Sequence, residues 1–216
     1  YVIEQQGSSL FFGAFLYESI GRSTWYAASG TVSGNSFNST LTAYSKGQTL
    51  TGPYVAPTTT ASPGTIGITF SDASHGTLTW PGGTIPIQRF DIVTGGAAMT
   101  RPAGTPESGI WWNPVESGRG FALEIQNNTM FLGGYMYDAS GNPIWYSSGP
   151  TPMTNATTYT GTWEQYGNGQ TLTGTYNPAT LVNTNVGTVR IQFSDTRNAT
   201  LTLPDGRQIS ITRFRF

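Results

Sequence analysis

The chain has 216 residues, enough for one large domain or two of about 100 residues each. Charged residues make up 10 % of it, against about 25 % in an average protein, while Gly, Thr, Ser and aromatic side chains are plentiful, a composition that marks an all-β protein and excludes a disordered one. Ten Lys and Arg against eleven Asp and Glu leave no basic face for a nucleic-acid backbone, the absence of Cys removes disulfides, thiolate metal sites and a Cys nucleophile, and no apolar run reaches the roughly 18 residues that cross a bilayer.

Taken in chain order, the sequence states one pattern twice. Residues 1–92 open with YVIEQQGSSLFFGAFLYESIGRSTWYAAS, which aligns without a gap on FALEIQNNTMFLGGYMYDASGNPIWYSSG from residue 121. Phe11 falls on Phe131, Gly13 on Gly133, Tyr17 on Tyr137 and Trp25 on Trp145. GQTLTG at 47–52 then matches GQTLTG at 169–174, GTIGITFSD at 64–72 matches GTVRIQFSD at 187–195, and IPIQRF at 85–90 matches ISITRF at 209–214. Between the copies, VTGGAAMTRPAGTPES at 93–108 reads as a Gly/Pro-rich linker, and residues 109–216 form the second copy. That copy begins with GIWWNPVESGRG, for which the first has no equivalent. Because the chain starts at Tyr1, inside what reads as a strand, the sequence suggests an upstream segment that has been removed, such as an export signal.

Within the second copy, alternation of period two predicts strands near 121–126, 129–138, 143–149, 157–166, 171–177, 186–195, 198–204 and 208–216, separated by SGN, GNG and PDG turns. Eight sequential strands with short turns predict an antiparallel up-and-down barrel, so the expected fold is all-β, two tandem eight-stranded barrels, with β-sandwiches as the alternative. Gly109-x-Trp111 before the first of these strands, with Arg213 in the last, resembles the calycin superfamily of lipocalins, fatty-acid-binding proteins and avidins. The resemblance implies that Trp111 packs with Arg213 to close one end of the barrel; the first copy keeps the Arg, as Arg89, without the GxW. WWNPVESGRG also resembles a W-W-N-P-x-E-S-G repeat of uncharacterised secreted or surface proteins of bacteria, which implies export and names no activity.

Candidate sites are few. His75 reads as a turn residue, and one His without Cys does not build a zinc site. No Ser-His-Asp set, GxGxxG or P-loop occurs, so neither metal nor cofactor is expected. Glu4 and Glu124 occupy the same position of the first strand in each copy; in closed barrels Glu4 would reach Arg89 and Glu124 would reach Arg213, as a strut across each seam or as a polar anchor in a ligand cavity. Phe11, Phe15 and Tyr17 share one strand face, as do Phe131, Tyr135 and Tyr137, with Gly13 and Gly133 leaving space between them; with Trp25 and Trp145 they read either as barrel core or as a pocket for a small apolar or planar ligand. The leading expectation is a non-enzymatic structural or adhesive protein of a bacterial surface layer, filament or matrix, secreted or at the cell surface, self-associating through the incomplete first barrel. A calycin-type carrier of a small molecule is the alternative, and a hydrolytic enzyme comes third, for want of a repeated acid/base or nucleophile set.

Overall fold

The computed structural model describes residues 1–216 and is all-β. The first copy contributes β1 (Val2–Gln6), β2 (Ser9–Tyr17), β3 (Ser23–Ser33), β4 (Ser36–Ser45), β5 (Thr58–Phe70), β6 (His75–Trp80) and β7 (Gly83–Gln88). The second contributes β8 (Gly109–Trp112), β9 (Gly120–Gln126), β10 (Thr129–Tyr137), β11 (Pro143–Pro152), β12 (Thr158–Gly167), β13 (Thr180–Phe193), β14 (Asn198–Thr202) and β15 (Gln208–Arg213). A 3-10 turn at Gly96–Ala98 interrupts the linker, and no helix is long and apolar enough to cross a membrane.

Strands β8 to β15 close into an eight-stranded antiparallel barrel, each strand beside its sequence neighbour and β15 returning to β8. The hairpin joining β9 and β10 turns on Asn127 and Asn128, both at positive φ, the paired left-handed conformation that suits a tight hairpin and that Asn tolerates. Strands β1 to β7 form a sheet in the same up-and-down order, but no hydrogen bond joins β1 to β7. The first copy is therefore an open seven-stranded sheet around its own core, where the sequence predicted a second closed barrel.

The difference lies in one short strand. GIWW, expected as a plug before the first strand, is itself β8 and supplies the eighth member of the barrel. The stretch 171–177, expected as a strand because T-L-T alternates, is a loop with a single bridging residue, Thr171. The count of eight in the second copy thus stands with a different membership, and the seven strands of the first copy correspond to β9 through β15.

Both cores are filled. Trp111, Phe121, Trp163, Tyr159, Val189 and Ile191 are buried inside the barrel; Leu10, Phe12, Phe37, Leu41, Ile66 and Leu78 fill the open sheet. Along β2 the even positions Leu10, Phe12, Ala14 and Leu16 point into this core, while Phe11, Gly13, Phe15 and Tyr17 face the other half of the molecule. β10 repeats the arrangement, with Met130, Leu132 and Met136 inside and Tyr135 and Tyr137 outside. Two-sided burial explains why SLFFGAFLY and TMFLGGYMY are apolar on both faces, as strands covered on both sides are.

Candidate functional site

The aromatic residues singled out in the sequence meet where the two halves join. Phe15 stacks on its own repeat counterpart Tyr135, ring centroids 4.4 Å apart and planes within 9°, as expected of equivalent residues beside a pseudo-two-fold axis. Around this pair the contacts are reciprocal. Trp25 Nε1 donates to the Met136 carbonyl at 3.0 Å and Trp145 Nε1 to the Leu16 carbonyl at 3.1 Å. Tyr137 meets Trp25 edge-on at 5.6 Å and Tyr17 meets Trp145 at 5.5 Å. Gly13 and Gly133 are small because the other half's ring lies against them: a Cβ on Gly13 would come within 2.6 Å of the Tyr135 hydroxyl, and one on Gly133 within 2.8 Å of the Phe15 ring. The close approach expected at these glycines is thus to the other copy, and these aromatic rings pack in a layer of their own outside the two cores. Phe11 sits at the margin with Phe214 and Phe216, and Phe131 is half-buried on the same face as Tyr135. Burial pushes the Tyr17, Tyr135 and Tyr137 hydroxyls well above their ordinary pKa, and none has a hydrogen-bond partner.

The acidic residues also cross between copies, contrary to the pairing expected within each barrel. Glu4 takes Arg213, not Arg89: Nη2 to Oε1 at 2.5 Å and Nη1 to Oε2 at 3.1 Å. Glu124 takes Arg89 at 2.8 Å. The physical reason is that both carboxylates lie on the outer strand face, which the opposite half covers. Each is steadied by a glutamine two residues on, which also reaches the other half: Gln6 donates to Glu4 and the Phe214 carbonyl, Gln126 to Glu124 and the Phe90 carbonyl. Glu4 further accepts from the backbone N–H of Ile110 at 2.5 Å. Gly109 has to be glycine here, since its φ is +125° and any Cβ would strike the Glu4–Arg213 pair.

Trp111 is fully buried in the barrel, edge-on to Phe193 at 5.4 Å, and its Nε1 donates to the Glu107 carbonyl at 2.9 Å. It lies opposite Arg213 in the β8–β15 ladder.

The repeated GQTLTG carried no assigned role in the sequence, and here the two copies interlock. The loop of the first copy inserts Leu50 into the core of the barrel, and the loop of the second packs Leu172 on the core of the open sheet. The Gln48 carbonyl accepts from Tyr137 N–H and the Gln170 carbonyl from Tyr17 N–H, each at 3.1 Å. WWNPVESGRG clamps the first of these plugs: Arg119, its side chain 1 % exposed, donates to the Leu50 carbonyl at 2.7 Å and pairs with Glu116 at 2.5 Å, while Glu116 also accepts from Gln48. Burial draws the Arg119 guanidinium down to about 10 against the pull of Glu116, so it remains charged at neutral pH. The identity of the two hexapeptides was the signal available in the sequence, and its meaning required knowing what each covers.

Elsewhere, His75 is exposed and its Nδ1 lies 3.0 Å from Asp72. A cleft of about 1030 Å³ lies between the linker and the Asn127–Asn128 turn and includes Arg89, Arg101 and Glu107. Comparison with protein-family models, with curated proteins and with solved structures found no match.

Proposed function

We propose that the protein is a non-enzymatic structural building block of a bacterial surface layer, filament or matrix, and that it associates with copies of itself. The observation that supports this reading is the packing: both cores are filled by side chains, and the two copies interlock through exchanged loops and a shared aromatic layer, which suits a mechanical unit. The filled cores favour it over a carrier, because an eight-stranded barrel holds a ligand only where side chains leave room. Size exclusion with light scattering over a hundredfold range of concentration tests it. Regular oligomers are expected; a monomer throughout, with no added component, contradicts the proposal.

A further inference from the structure

We propose that copies of this chain exchange halves, the first half of one molecule packing on the second half of the next, a reading that rests on the assembly proposed above and names the surface through which it proceeds.

Each half is built to be covered by the other. β2 and β10 are apolar on both faces, and their outer faces meet in the shared layer around Phe15 and Tyr135. Leu50 of the first half sits in the core of the barrel, and Trp25 and Trp145 each donate across the junction. A half that parts from its partner therefore bares an apolar sheet face to water, and the recovery of that buried area drives it back onto a matching half. None of these contacts uses residues 93–105, so the same set forms between two molecules as within one.

The linker permits the exchange. Residues 89–108 join β7 to β8, and that length of chain spans roughly 65–70 Å when extended. A domain of 100 residues has a radius of gyration of about 13 Å, so the linker can carry one half clear of the other. It is fastened at its two ends, where Asp91 accepts from the N–H groups of Gly95 and Ala97, and where Glu107 N–H donates to the Thr196 carbonyl. Between these anchors residues 98–104 are exposed and make hydrogen bonds only within the linker, and the cleft of about 1030 Å³ separates this stretch from the barrel. Few contacts thus hold the linker in its closed path.

Because the two halves differ, exchange is head to tail: two chains that close on each other give a dimer, and a succession that does not close gives a filament. Within one chain the halves meet at an effective concentration on the order of millimolar. Exchange therefore competes when chains fold together near that concentration, and the closed monomer prevails far below it.

The test uses two full-length charge-reversed chains, Glu4→Arg and Arg213→Glu. In the closed monomer each variant sets two like charges together where both side chains are 9 % exposed. When the two are mixed, unfolded and refolded together, exchange brings the arginine introduced at position 4 against the glutamate introduced at position 213. The other junction of the same dimer regains the native Glu4–Arg213 pair. A one-to-one heterodimer by native mass spectrometry is expected, with a denaturation midpoint above that of either parent; a mixture holding only the parent species overturns the proposal. The heterodimer needs neither parent to fold alone, so a parent that fails to fold does not obscure the result. A second measurement takes the unaltered protein, refolded at about millimolar concentration from differently isotope-labelled chains. Its oligomers should show a nuclear Overhauser contact between the Trp25 indole N–H of one chain and Met136 of another. Oligomers without that contact would leave the assembly reading standing and remove this one. Exchange seen only near millimolar concentration, with a monomer at every lower one, would keep this proposal and remove the assembly reading.

Discussion

Glu4 and Glu124 hold equivalent positions and make equivalent pairs, but their surroundings differ, and the cost of breaking each pair should differ with them. The Glu4–Arg213 side chains are 9 % exposed each, whereas Arg89 is 46 % and Glu124 27 % exposed. Removing one partner of a buried pair strands the other charge, so Arg213→Ala should cost about 3 kcal/mol in chemical denaturation. Arg89→Ala should cost less than about 1 kcal/mol, because solvent screens an exposed pair. Glu107 adds a pH dependence. Burial acts to raise its carboxyl, but hydrogen bonds and charge from Arg197 and Arg213 outweigh this and hold it below its ordinary value. A carboxylate depressed in the folded state stabilises it above the unfolded pKa of about 4.3 and loses that contribution as pH falls through the lower folded value. Stability should therefore decline on acidification below about pH 4, and Glu107→Gln should reduce the slope there. At the axis, the Tyr135 hydroxyl is buried without a partner, so Tyr135→Phe should leave stability unchanged or raise it by up to about 1 kcal/mol, while Gly133→Val should lower it by about 1–3 kcal/mol through overpacking against Phe15.

At the scale of elements, the GQTLTG loops and β8 decide how the halves are completed. Leu50 fills the end of a core that belongs to the other copy, so Leu50→Ala should destabilise the protein by about 2–5 kcal/mol, as deletion from a packed core does. Leu172→Ala, on a half-buried side chain, should cost less in the same denaturant titration. The sequence disclosed the strands well where alternation met a turn signal, as in FALEIQ-NN-TMFLGGYMY, and the duplication was explicit in its identities. It did not disclose that T-L-T in GQTLTG is a loop, because a short alternating run is the same string in a strand and in a plug. Nor did it disclose that GIWW is a strand, since four residues give no measurable period. The candidate site was legible in its members and not in its partners: period two says that Phe15, Tyr17 and Glu4 share a face, and is silent on what covers that face. Assigning each Glu to the Arg of its own copy assumed closed, separate barrels, and the cross-pairing arises once the outer faces are joined.

At the scale of the molecule, the two halves are joined by exchanged plugs, exchanged ion pairs and a shared aromatic layer, so they should unfold together. Calorimetry is expected to give one transition, with equal calorimetric and van't Hoff enthalpies; two separate transitions would mean that the halves fold independently. The asymmetry within this pseudo-symmetric body is the central claim: one half is closed by β8, and the other is open between β1 and β7. Amide hydrogen exchange on the free chain reads it directly. Val2–Gln6 and Gly83–Gln88 should exchange markedly faster than their counterparts in β9 and β15, because an edge strand has half of its N–H groups outside any ladder. Equal protection of the two sets would mean that the first sheet is closed in solution, and the account of the seam would fall.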